Sequence, residues 1–135
     1  MIEAMIATMI MSISFAGVYT MAGLSSTSLK NSIDRQKMQL VANQILESIS
    51  SDYANISNYN NMDFTTCTAP TAGQTATYHQ NRYKWCRMLD DAVGPSATGD
   101  ARRITVTASG TSNIVSVAIE SRKKNAQIII KNIYD

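Results

Sequence analysis

The chain has 135 residues, 44% of them hydrophobic and 16% charged, with a formal net charge of +2 at pH 7. That is one domain's worth of chain, and so small a charge does not by itself imply a nucleic-acid or acidic partner. The two cysteines, Cys67 and Cys86, fit no C-x-x-C metal or redox spacing.

The opening stretch "MIEAMIATMIMSISFAGVYTMAGL" holds one charge, Glu3, and no basic residue precedes Lys30. As a helix rising about 1.5 Å per residue, residues 1–24 reach roughly 36 Å, enough to span a hydrocarbon core of about 30 Å. A removable secretory signal begins with basic residues and ends at a small-residue cleavage site. Here the start is not basic, and the first proline is Pro70. The segment is therefore expected to be the front of a longer helix. Ala4, Thr8, Ser12, Ala16 and Thr20 are small and fall at four-residue steps, making a slim ridge of the kind that lets membrane helices approach closely. Ten of the first 24 residues are Ala, Gly, Ser or Thr, so plain abundance of small residues is the competing explanation. Helix propensity is weakest at Gly17, Gly23 and the run Ser25, Ser26, Thr27, Ser28.

Residues 25–54 change texture. Leu29, Ile33, Leu40, Val41, Ile45, Ile49 and Tyr53 recur at roughly three- and four-residue steps, with Asp34, Arg35, Lys37 and Glu47 between them. The spacing predicts an amphipathic continuation of the same helix, ending near Ala54 and giving a rod of about 80 Å. About 80 residues then remain, near the lower limit for a self-sufficient core, where a covalent staple helps. Cys67 and Cys86 are read as one disulfide, which puts residues 55–135 outside the cytosol; two buried free thiols are the alternative.

"NISNYNNMDFTTCTAPTAGQ" reads as a polar connecting loop. Its Asn55-Ile56-Ser57 sequon is a chance match. "ATYHQNRYKWCRML" is expected to be the first strand, with Tyr83, Trp85 and Arg87 on one side and Cys86 and Met88 on the other. "DDAVGPSATGD" reads as a turn-rich crossing whose Asp90, Asp91 and Asp100 lack the ordered alternation of oxygen ligands that calcium requires. "RRITVTAS" and "NIVSVAIES" alternate around Gly110 and predict a hairpin with Ile104, Val106, Val115, Val117 and Ile119 inward. A register of Ser109 opposite Ile114 would set Arg103 against Glu120. Arg102, Arg103, Arg122, Lys123 and Lys124 then gather at one end as an anion-binding patch that a DNA contact could use, against the plainer reading of a solvated sheet edge. "AQIIIKNIY" is a fourth strand or a packing tail. His79 is the single histidine, no catalytic constellation surrounds it, and neither enzyme, metal nor cofactor is expected.

"MIEAMIATMIMSISFAGVY" resembles the N-terminus of a type IV pilin or pseudopilin, an apolar helix with a single glutamate near its start. "MQLVANQILESI" and "YKWCRML…RRITVTASG…NIVSVAIES" are most similar to the minor-pilin subclass that includes pilin V and pseudopilin I proteins. This chain departs from the pattern in having two residues before Glu3, where four are usual, and in lacking a mid-helix proline. The resemblance implies an α+β pilin fold: a long helix over about 1–54, packed against a small antiparallel sheet of three or four strands. It implies residues 1–24 as membrane span and filament core, 25–54 as the amphipathic half, and 55–135 as the sheet domain. It further implies a structural role, in a pilus of the adhesion, motility or DNA-uptake kind; alternatives are a minor pseudopilin of a type II secretion system and a tip-located surface- or DNA-binding minor pilin. Its partners would be copies of itself and other pilins, the inner membrane before assembly, a prepilin peptidase and the assembly machinery, with an extracellular filament as destination. Glu3, Ala4, Thr8, Ser12, Ala16 and Thr20 would serve assembly. The peptidase would remove a basic leader, which also answers a topological conflict: alone, Lys30, Arg35 and Lys37 would draw the disulfide-bearing side into the cytoplasm.

Overall fold

A computed structural model of the chain describes residues 2–121 and 126–134. Two compact units divide it, Met1–Ile33 and Asp34–Asp135. Helix α1 runs Ile2–Ser51. The weak positions from Gly17 to Ser28 do not interrupt it. No described residue before Met38 is buried.

In the second unit α1 does bury a face. Met38, Val41, Ala42, Ile45, Leu46 and Ile49 recur at three- and four-residue steps and make the stripe that carries the core. Four members of the anticipated stripe lie elsewhere: Tyr53, 38% exposed, follows the end of the helix, and along it Leu29, Ile33 and Leu40 are 64%, 49% and 71% exposed. The reason is angular. Leu40 is one residue from Val41, hence about 100° round the helix, and Leu29 and Ile33 are eleven and seven residues before it.

Beyond Ser51 the chain is ordered where a loop was expected. A 3-10 turn spans Tyr53–Tyr59 and buries Ile56 and Tyr59. Asp52 organises it, accepting from Asn55 Nδ2 at 2.8 Å and from the Tyr59 hydroxyl at 2.6 Å. Asn55, the sequon residue, is thus engaged by a side-chain hydrogen bond. Strand β1, Met62–Asp63, follows. Asp63 Oδ1 accepts from both the amide and the hydroxyl of Thr65 at 2.8 Å, which turns the chain out of the strand.

The segment expected as a first strand is instead helix α2, Thr77–Val93. Trp85, Cys86, Leu89 and Val93 are its buried residues. A strand would send the neighbours Trp85 and Cys86 to opposite faces, whereas a helix keeps both within one broad stripe. The five-residue alternation from Tyr83 to Arg87 was too short a window; the four-residue steps from Trp85 to Val93 carry the period. Gly94, at φ 103°, ends the helix with its N–H on the Asp90 carbonyl at 2.9 Å, and Pro95 cannot continue it.

Strands β2 (Ala101–Ser109), β3 (Ser112–Ser121) and β4 (Ala126–Tyr134) complete a four-stranded sheet of order β1-β2-β3-β4, each pair antiparallel. The fold is α+β, a long helix packed against an antiparallel sheet, as expected. Gly110, at φ 65°, occupies the first position of a two-residue hairpin turn, where a left-handed residue matches the twist of the strands. That turn sets Ser109 opposite Ser112, so Arg103 faces Ala118, and Glu120 faces Ala101. The anticipated Arg103–Glu120 pairing is therefore corrected by a shift of two residues. Because side chains alternate with period two, such a shift leaves the inward set intact. Ile104, Val115, Val117 and Ile119 are buried and Val106 packs on the cluster from its edge.

Though β1 is only two residues long, the outer edge of β2 is covered at three successive rungs. Phe64 donates to the Arg102 carbonyl at 3.0 Å, Met62 pairs with Ile104, and Val106 donates to Asn60 Oδ1 at 3.0 Å. Arg82 Nε donates to the Asp63 carbonyl at 2.9 Å, joining α2 to the same edge. Tyr59 lies against Trp85 with ring centroids 5.6 Å apart, and its hydroxyl accepts from Asn81 Nδ2 at 3.2 Å.

Burial and the Asp52 carboxylate push the Tyr59 hydroxyl up to about 12, while hydrogen bonds from Tyr59 and Asn55 hold Asp52 below the usual carboxylate range. Unfolded, a tyrosine releases its proton near 10. Tyr59 therefore contributes stability that is whole below pH 10 and lost as the pH rises towards 12. Tyr59→Phe should cost about 1 kcal/mol at pH 7. In urea titrations of the full chain in detergent, the gap between wild type and variant should narrow from pH 10 upward; a constant gap would contradict this linkage.

Candidate functional site

Two regions carry chemistry. The first is the unburied front of α1. Among the described residues it is the one helix long and apolar enough to cross a membrane. Phe15, Val18, Tyr19, Met21 and Leu24 are each at least 68% exposed. Glu3 sits in the first turn, where a carboxylate suits the positive end of the helix dipole.

The small-residue ridge conceals its polar atoms. Thr8 Oγ1 donates to the Ala4 carbonyl at 3.1 Å, Ser12 Oγ to Thr8 at 2.8 Å, and Thr20 Oγ1 to Ala16 at 3.1 Å. Each hydroxyl is satisfied by the carbonyl of the ridge residue one turn earlier. Ser14 and Thr27 do the same with Ile10 and Gly23, at 2.9 and 3.1 Å. A helix that satisfies its own hydroxyls enters hydrocarbon without stranded donors. The spacing of small residues pointed to close approach; what it did not reveal is that the ridge is also internally hydrogen-bonded.

The second region is the disulfide cluster. Cys67 and Cys86 are joined, with Cα atoms 5.2 Å apart across a separation of 19 residues. A loop of about 20 residues is worth roughly 3 kcal/mol in the chain-entropy model. The bond ties the segment after β1 to α2, in place of the strand first expected there. Asp90, one turn beyond Cys86, accepts from Arg102 Nη1 at 2.7 Å. Arg102 Nη2 donates to the Gly94 carbonyl at 2.6 Å. The guanidinium is therefore spent on the C-terminal end of α2, where cations are favoured.

This overturns part of the anion-binding patch. Arg102 is 2% exposed and neutralised by Asp90, so it offers nothing to an external anion. Parity explains the split between neighbours: Arg102 points into the core side of β2 and Arg103 to solvent. Arg122, Lys123 and Lys124 lie outside the described residues. Of the three aspartates, Asp90 serves Arg102, Asp91 is exposed, and Asp100 Oδ2 accepts from the Ala97 amide at 2.9 Å within a turn. Cys67, Cys86 and Asp90 lie close enough together to resemble a metal-ligand group. A disulfide has no thiolate to coordinate with, so the geometry is not a ligand set. His79 lies on α2 with its ring centroid 4.3 Å from that of Tyr78, rather than on a strand.

No family model matches the chain, and no curated protein or solved structure was found to match it.

Arg102→Ala should destabilise the full chain by about 3 kcal/mol, because it removes a buried guanidinium and leaves a half-buried carboxylate unpaired. Arg103→Ala, one residue away on the solvent face, should stay within about 0.5 kcal/mol. Thermal unfolding of both variants in detergent checks the contrast, and equal effects would contradict the assignment of faces.

Proposed function

We propose that this chain is a structural subunit of a type IV pilus-like filament, held in a membrane before assembly and polymerised through the apolar helix α1. One observation supports this most. The exposed apolar surface of α1 does not stop where a bilayer's worth of helix ends. About 20 residues suffice to cross hydrocarbon, yet Leu29, Ile33 and Leu40 remain open beyond them. Their spacing of four and seven residues is that of one helical face. A membrane-anchored sensor leaves these residues without a role, whereas neighbouring helices in a filament cover them. The disulfide fits the same setting, since it belongs to an oxidising compartment.

Assembly then explains Glu3, which has no partner among the described residues. Inside a filament core an isolated carboxylate is costly, so a neighbouring subunit's amino terminus is the natural counter-charge. The ridge of Ala4, Thr8, Ser12, Ala16 and Thr20 offers a slim face for helix contact. A role in binding DNA at a filament tip gains less support, because Arg102 is withdrawn into the ion pair with Asp90. A pseudopilus of a secretion system would use the same helix chemistry and is the second reading.

Glu3→Ala should leave the protein in the membrane fraction but reduce filament yield at least about tenfold. Leu40→Glu should leave the unfolding free energy within about 0.5 kcal/mol of wild type while also suppressing filaments. Sheared filaments quantified by electron microscopy and intact-mass spectrometry provide the readout. Normal filament yield from both variants would sink the filament reading, and the mass of the wild-type subunit would report its processed and methylated N-terminus.

A further inference from the structure

The Cys67–Cys86 disulfide has two unlike ends. Cys86 is 0% exposed within α2, while Cys67 is only half-buried in the segment before it. The sulfur of the less buried cysteine has a charged neighbour: Asp90 Oδ2 lies 3.1 Å from Cys67 Sγ. A disulfide sulfur carries no proton, so this contact is not a hydrogen bond. It is a carboxylate oxygen set against the sulfur of the less buried cysteine. The other carboxylate oxygen takes the Arg102 guanidinium at 2.7 Å, and Arg102 is anchored in turn on the Gly94 carbonyl at 2.6 Å. The ion pair is therefore oriented, with its negative end towards Cys67 and its positive end buried.

We propose that this cluster is a polarised thiol-exchange site: Cys67 forms the mixed disulfide with an external thiol, Cys86 is the buried leaving and resolving sulfur, and Asp90 selects against thiols that carry negative charge near their sulfur. In reduction, an external thiolate RS⁻ gives its electron pair to Cys67 Sγ. The Cys67–Cys86 bond breaks, and Cys86 departs with that bonding pair and takes a proton from water. A second RS⁻ then attacks the R-side sulfur of the mixed disulfide, releasing RSSR and the Cys67 thiolate. Oxidation by a disulfide RSSR runs the same steps backwards, with Cys86 attacking the Cys67 mixed disulfide and expelling RS⁻. Access selects the sulfur attacked, because in-line approach to Cys86 is closed by the core. Charge selects the reagent, because the negative end of the oriented ion pair is nearer to Cys67 than its positive end and repels an incoming anion at a few ångströms, more weakly as salt rises. Thiols or thiol oxidoreductases that are neutral or cationic around the reactive sulfur are the class that fits. None of this depends on filament formation.

Reduction of the native full chain in neutral detergent can be followed by alkylation quench and mass spectrometry, with three probes: cysteamine, 2-mercaptoethanol and 2-mercaptoethanesulfonate. Rates are compared per thiolate and relative to a neutral model disulfide, hydroxyethyl disulfide. Cysteamine should outpace the sulfonate by about tenfold at low ionic strength, and the ratio should shrink as salt is added. Peptide mapping should find the first adduct on Cys67, with Cys86 alkylated. In Asp90→Asn the ratio should fall to within about threefold. Should that variant fail to fold, the salt series and the adduct map on wild type still decide. Adducts on Cys86, a wild-type ratio no larger than that of the model disulfide, or an unchanged ratio in Asp90→Asn would each overturn the proposal.

Discussion

The second unit is built around one face of one helix. Between Met38 and Ile49, α1 supplies six of the 18 buried hydrophobic residues among those described. A sheet of four strands with a single short helix cannot bury enough apolar surface at this size without that stripe. Everything else in the unit follows from covering it. Ile104, Val115, Val117 and Ile119 come from the inward face of the sheet, and Trp85 and Leu89 close the side through α2. The disulfide, the Asp52–Tyr59 bond and the Arg102–Asp90 pair fasten the pieces that surround this contact.

The contrast with the other part of the same helix is chemical. Ahead of Met38 no described residue is buried, although Phe15, Tyr19 and Leu24 are large and apolar. Surface of that kind is stable only against lipid or other protein. The internal hydroxyl bonds of Thr8, Ser12 and Thr20 make it compatible with either. One helix thus performs two tasks, and the change of task lies in which residues repeat, not in any break of the backbone.

How far the sequence was legible depended on the range of the interaction. The apolar run and the strict alternation of β2 and β3 are local periodicities, and they predicted α1 and the hairpin correctly. The disulfide followed from the cysteine count and the membrane segment. Part of what failed needed partners distant in sequence. Asn60 and Phe64 look like loop residues until β2 is placed beside them. Arg102 looks like one member of a basic cluster until α2 brings Asp90 within 2.7 Å. The aromatic, β-favouring composition of Tyr83 and Trp85 masked a helical repeat that only a longer window reveals. The hairpin register missed by two because it was drawn from side-chain pairing, whereas the two-residue turn at Gly110 decides it.

The Tyr134 hydroxyl donates to the Leu46 carbonyl at 2.8 Å, joining residues 88 positions apart. That bond, with the cover that β3 and β4 place over the helix stripe, has a consequence for timing. A ribosome adds roughly 5–20 residues each second, so α1 is complete several seconds before β4 exists. During that interval the cover over Met38, Val41, Ile45 and Ile49 is incomplete, because the closing contacts are among the most non-local in the molecule. The apolar front of α1 can already be held in a bilayer while this happens. A bilayer holding that front would keep nascent chains dispersed in two dimensions until the last strand completes the cover over their stripes.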